Sequence, residues 1–123
     1  MPIVDGCYKG WALRYLREAK AELVAAQRTP YLAPGLVLEA LRKAQGAIYY
    51  SLGEPAFVGA IVSENLLEES IGDPILRFLV EIERTLQRFG QSPDPSHEAA
   101  MKEANTVIEL ASDVVRLFTG ETA

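Results

Sequence analysis

The chain has 123 residues and a formal net charge of −5, with 49% hydrophobic and 24% charged residues. That length gives one domain, residues 1–123, with apolar content enough for a real core, and the acidic balance excludes electrostatic capture of nucleic acid over the whole surface while leaving room for a local basic stripe. The one cysteine, Cys7, excludes an intrachain disulfide and a multi-cysteine zinc site; no apolar run approaches the ~20 residues of a membrane span, and MPIVDGCYKG lacks the features of a secretion leader, so a cytoplasmic, membrane-free location is expected.

The first predicted helix runs from about Tyr8 to Gln27, with Ala12, Leu16, Ala19, Leu23 and Ala26 on one stripe and Trp11 and Tyr15 widening it. Arg14 and Glu18 pair at i,i+4 on its outside. The loop RTPYLAPG, residues 28–35, ends this helix with two prolines and a glycine. The second helix spans about Leu36 to Leu52, with Val37, Leu41, Ala44, Ile48 and Leu52 at helical spacing and Gly53 as a natural C′ residue.

Gly53-Glu54-Pro55 breaks the chain, and Pro55 suits the first position of a third helix reaching about Ser70. Its first half, AFVGAIV, is apolar nearly all round and predicts burial on several sides. Gly72 would end it. Asp73 caps the fourth helix, Pro74 to about Phe89, whose face is Ile75, Leu79, Ile82, Leu86 and Phe89, with Gly90 as the stop. QSPDPS, residues 91–96, reads as the most mobile loop. The fifth helix runs from about Pro95 to Thr119, with Ala100, Ala104, Val107, Ala111, Val114 and Phe118 in a stripe and Gly120 at its end. No strand signal is present. The expected fold is all-α, an up-and-down bundle of four to five helices, with Leu16, Leu23, Leu41, Ile48, Ile61, Leu79, Ile82, Val107, Ala111 and Val114 in the core.

Candidates for chemistry are few. His97, the sole histidine, lies between Asp94 and Glu98, an arrangement that suits a metal ligand or an acid–base pair but equally an ordinary helix start. A ferritin-like di-iron site fails for want of any Glu-x-x-His element. Glu64 and Glu68 would share a helix face and could hold a divalent cation, with His97 as a further ligand; ordinary solvated carboxylates are the plainer reading. Glu64 and Asn65 beside an apolar run mark where a polar pocket would be sought. Arg77, Arg84 and Arg88 on helix four, with Arg42 and Lys43 on helix two, could form a basic patch for phosphate groups. Of the adjacent tyrosines, Tyr49 and Tyr50, one should be core and the other at an edge; Tyr49 is the candidate binding residue, by base stacking. Cys7 has no neighbour to activate it, and a buried or incidental thiol is expected. Gly-x-Ser-x-Gly and glycine-rich phosphate loops are missing, so no cofactor is expected.

Helix one (YLREAKAELVAAQ), the loop TPYLAPG, and helix two (VLEALRKAQGAIYYSLGEP) resemble the HEPN family of small helical bundles, in which an Ala-rich first helix precedes a helix of R-x-A-Q-x-A character ending in glycine. The closing stretch HEAAMKEANTVIELASDVVRLF is similar to that family's last helix. Nuclease members of the family carry an arginine with a histidine four to six residues later; here Arg88 precedes His97 by nine positions. The resemblance therefore implies a member without that nuclease site. It implies a binding role instead: recognition of nucleotide or RNA, or pairing with a nucleotidyltransferase-like partner, often as a homodimer.

Independently of the resemblance, surplus apolar surface points to a homodimer. Helix three is apolar on more than one face, and Leu76, Phe78 and Val80 lie off the main stripe of helix four. Two functional classes are thus expected: a non-catalytic helical binding module that dimerises and contacts a partner protein, nucleotide or RNA, or a small metal-dependent hydrolase using Glu64, Glu68 and His97.

Overall fold

The computed structural model of the chain describes residues 6–91, 97–121 and 123. The described residues form five α-helices and no strand. They are α1 (Gly6–Arg28), α2 (Ala33–Leu52), α3 (Pro55–Glu64), α4 (Pro74–Gln91) and α5 (His97–Thr119), with one 3₁₀ turn, Pro30–Leu32, between α1 and α2. No helix among the described residues is long and apolar enough to cross a membrane.

Side-chain contacts set the directions. Lys43 of α2 reaches back to Glu22 and Glu18 of α1, and Tyr8 near the start of α1 meets Tyr50 near the end of α2, so the two helices are antiparallel. Lys9 pairs with Glu121, placing the start of α1 beside the end of α5. Arg88 near the end of α4 meets Glu103 near the start of α5. The long helices therefore alternate in direction, as the sequence pattern predicts for an up-and-down bundle. The short α3 sits in the connection between α2 and α4.

The core follows from small residues at regular spacing. Ala12, Ala19 and Ala26 of α1 are fully buried, as are Ala40, Ala44 and Ala47 of α2 and Ala104 and Ala111 of α5. Alanine brings helix axes closer than larger side chains allow. Leu16, Leu23, Val37, Leu41, Ile48, Ile108 and Val115 fill the space between these contacts. Against that framework α4 lays Leu79, Val80, Ile82 and Leu86.

The helix ends have identifiable causes. Gly53 (φ 151°) and Gly120 (φ 79°) take up backbone conformations that side-chain-bearing residues avoid, and their N–H groups donate to Tyr49 O at 3.2 Å and Arg116 O at 2.8 Å. The Asp73 carboxylate accepts from the backbone N–H groups of Ile75 and Leu76 at 2.8 and 3.1 Å, the expected N-cap. Glu54 caps α3 in the same way, its carboxylate accepting from Phe57 N–H at 2.8 Å.

Several expectations are corrected. The first interhelical loop is shorter than predicted, because Pro34 is accommodated in the first turn of α2, where its missing N–H is tolerated. Gly90 does not stop α4, which continues to Gln91. The stretch 92–96, with Asp94, Pro95 and the polar loop, lies outside the described residues.

The third helix ends at Glu64, not at Ser70. The Asn65 side chain donates to Ile61 O at 2.8 Å, and a hydrogen bond from Leu66 N–H to Ser63 O, then one from Glu68 N–H to Asn65 O, tighten the chain into turns. Asparagine competes for backbone partners in this way and favours helix ends. Nor is α3 buried on several sides: Val62 is its one buried residue, and Ile61, expected in the core, is 39% exposed. The surplus on α4 is absorbed, since Val80 is buried and Leu76 and Phe78 pack against the core.

Ile82 is 2% exposed. Replacing it with alanine should lower unfolding free energy in urea by about 2–5 kcal/mol, the range for a buried isoleucine losing its contacts. Ile61→Ala should cost under ~1 kcal/mol, as is usual for a residue outside the core. Equal losses at the two sites would show that α4 is not seated as described.

Candidate binding surfaces

The cations singled out by sequence are distributed over the bundle and engaged with different partners. Lys43 lies between Glu22 and Glu18 at 2.8 and 2.9 Å, tying α2 to α1. Hydrogen bonds from Glu22 and Glu18 hold its ammonium well above the usual lysine range, and Lys43, then Arg14, lowers the Glu18 carboxyl. A phosphate approaching Lys43 would meet two carboxylates first.

Arg84 has a structural task. Its guanidinium donates to Leu66 O at 2.8 Å and Glu68 O at 2.9 Å while pairing with Glu81 at 2.6 Å. Nη2 serves both carbonyls while Nη1 takes the carboxylate, and the set fastens the turn after α3 onto α4. Arg88 donates to Thr85 Oγ1 at 2.9 Å and pairs with Glu103 at 3.2 Å, linking α4 to α5. Arg42 and Arg77 are exposed. The five cations thus point to the α1–α2 seam, the α3–α4 turn, the α4–α5 seam and solvent.

The two tyrosines separate as one end of α2 turns. Tyr49 accepts from Gln45 Nε2 at 3.1 Å, and the same amide donates to Glu83 of α4 at 2.7 Å. Burial, then the nearby Glu83 charge, pushes the Tyr49 phenol up to about 12. Tyr49 therefore belongs to the α2–α4 packing. Tyr50 is the residue with aromatic company. It meets Tyr8 edge-on at 5.6 Å, Tyr15 at 5.6 Å, and Trp11 in a stacked arrangement at 6.2 Å with 22° between planes. The Arg14 guanidinium covers Trp11 at 5.0 Å. Gly46 lets the Tyr15 ring lie close, since a Cβ there would come within 3.3 Å of Tyr15 Cδ2. Sequence reasoning placed Trp11 and Tyr15 on the core stripe and missed this cluster. The spacing of Tyr8, Trp11 and Tyr15 at i, i+3 and i+7 was the available signal.

The proposed metal ligands do not share a helix face. Glu64 is the last residue of α3 and Glu68 lies beyond it in the turn, both exposed. No group of three or more histidine, cysteine, aspartate or glutamate side chains is placed to hold a metal among the described residues. Asn65, marked in the sequence with Glu64 for a polar pocket, turns its side chain onto the α3 backbone. His97 is the exposed first residue of α5, beside exposed Glu98. Cys7 is exposed rather than buried.

Several large apolar side chains also remain outside. Phe57 is 70% exposed on α3 and Leu67 is 95% exposed in the following turn, while Leu117 of α5 is 73% exposed. Tyr31 and Leu32 of the 3₁₀ turn and Leu110 of α5 are exposed as well. The run Pro55–Ser63 carries no charged residue. Comparisons with family models, with curated proteins and with solved structures each gave no match.

Arg84→Ala should strip two backbone carbonyls of their donor and lower stability by about 1–3 kcal/mol, the cost of leaving such groups unpaired. Arg84→Lys should recover only part, because one ammonium cannot stand both where Nη2 meets the two carbonyls and where Nη1 meets Glu81. Arg77→Ala should change stability by no more than ~0.5 kcal/mol. Urea unfolding of the three variants checks this, and a silent Arg84→Ala would remove the clamp from the account.

Proposed function

We propose that this chain is a non-catalytic helical binding module, HEPN-like in kind, that dimerises and contacts a partner protein, nucleotide or RNA. The observation that carries the reading is the large apolar side chains, Phe57, Leu67 and Leu117 foremost, left in solvent after the bundle has filled its own core. They stand on α3, the turn after it and α5, and exposed large apolar groups are what interaction sites are built from.

The chemistry-bearing groups support binding over turnover. His97 stands in solvent beside Glu98, whose negative charge opposes a phosphate. Arg88, the arginine nearest upstream in sequence, is engaged by Thr85 and Glu103. General acid–base cleavage of RNA needs a positioned proton donor or acceptor together with a cation that stabilises developing charge. Among the described residues, Arg88 is committed to Thr85 and Glu103 rather than to His97.

Light scattering at micromolar concentration should give twice the 13.5 kDa chain mass, and a mass of 13.5 kDa would reject the dimer. Incubation with structured and unstructured RNA should show no cleavage. Cleavage by the wild type that disappears in His97→Ala would move the protein into the catalytic class.

A further inference from the structure

We propose that the groove between α1 and α5 binds a free α-amino acid with an aliphatic side chain, taken up as the zwitterion. The site goes beyond the dimerising module and stands without it. The groove has a volume of about 480 Å³, in the range of small-molecule sites. Lys9 pairs with Glu121, so α1 and α5 run in opposite directions along it. Lys20 then stands near the level of Ser112 and Asp113, and Leu23 and Val24 near that of Ile108, all of them lining the groove.

Both signs of charge meet at one end of the groove. The Lys20 ammonium donates to the Ala123 carbonyl, which uses one of its three donors and leaves the others for a carboxylate. Asp113 gives Oδ1 to Arg116 at 3.2 Å, and its second oxygen is left for an ammonium. The Ser112 hydroxyl beside them is half-buried and has no hydrogen-bond partner among the described residues. It can donate to a carboxylate or accept from an ammonium. A lone anion here would be opposed by Asp113, and a lone cation by Lys20. An amino acid carries both charges on one carbon and matches the two together.

Beyond the charged end the lining is apolar. Leu23 and Ile108 are buried, while Val24 is 45% exposed. An aliphatic side chain laid along them leaves water and covers Val24 as it does so. Glu109, which also lines the groove, accepts from the Asn105 amide at 3.3 Å and is engaged on that side. A second concavity, at Arg14, Arg17, Glu18 and Ala21, belongs to α1 alone. None of its lining residues is buried, so it offers a ligand no apolar floor.

Leucine is the probe, beside two analogues that each lack one charged group: 4-methylpentanoate without the ammonium and 3-methylbutylamine without the carboxylate. Heteronuclear NMR titration of the full chain should show leucine shifting amides of residues 20–24 and 108–113, with millimolar or tighter affinity. Each analogue should bind at least tenfold more weakly. Asp113→Asn should weaken leucine at least tenfold and narrow its advantage over 4-methylpentanoate, and Val24→Glu should weaken it as much by closing the apolar side. Both positions are exposed, and unchanged helical circular dichroism checks that the variants fold. No shifts with millimolar leucine, equal binding of all three compounds, or leucine binding untouched by Asp113→Asn overturns the site. Any of these leaves the dimerising module standing, since that reading is decided by the mass in solution.

Discussion

Everything else in the bundle is arranged around the close contact of α1 with α2. Ala12, Ala19 and Ala26 recur at seven-residue intervals on α1, and Ala33, Ala40 and Ala47 do the same on α2. All six are buried. Such a stripe brings two backbones together without large side chains holding them apart, so packing contacts accumulate along the whole length. Ala104 and Ala111 bring α5 onto the same centre. Leu16, Leu23, Leu41 and Ile48 fill the space between these contacts, while the aromatic residues Tyr8, Trp11, Tyr15 and Tyr50 cluster toward the start of α1 and the end of α2.

The fourth helix is attached differently. Its larger side chains, Leu79, Ile82 and Leu86, fill the remaining groove, and polar links fix its register. Gln45 reaches Glu83 from α2, Arg88 reaches Glu103 on α5, and Arg84 holds the turn after α3. These links consume cations and carboxylates that would otherwise be free for a ligand. A chain of net charge −5 that spends Lys43, Arg84 and Arg88 on internal pairs keeps little positive charge in any one place.

The third helix is left outside for a geometric reason. It is 10 residues long, capped by Glu54 at one end and closed by Asn65 at the other, and its main contacts are with α2 and α4. A helix that short shows one narrow side to its neighbours. Its composition, apolar nearly all round, exceeds what that one side can bury, and the excess faces solvent as Phe57 and Ile61.

Periodicity alone determined the all-α class, the five helices and most of the core, because the three-four spacing of apolar residues and the Asp-Pro, Glu-Pro and Gly boundaries are local features of the chain. The Gly53, Gly120 and Asp73 ends were legible for the same reason. Tertiary structure alone decided what became of residues whose partners lie far away in sequence. Arg84 reads as a surface cation until Leu66 and Glu68 carbonyls are placed against it, and Lys43 as a phosphate ligand until Glu18 and Glu22 enclose it. Tyr49 and Tyr50 cannot be told apart in sequence, since only the positions of α1 and α4 around α2 assign one to Glu83 and the other to Trp11. The burial of Ile61 failed as an expectation because an apolar pattern records which residues prefer to leave water, while the number of neighbouring helices fixes how many of them can.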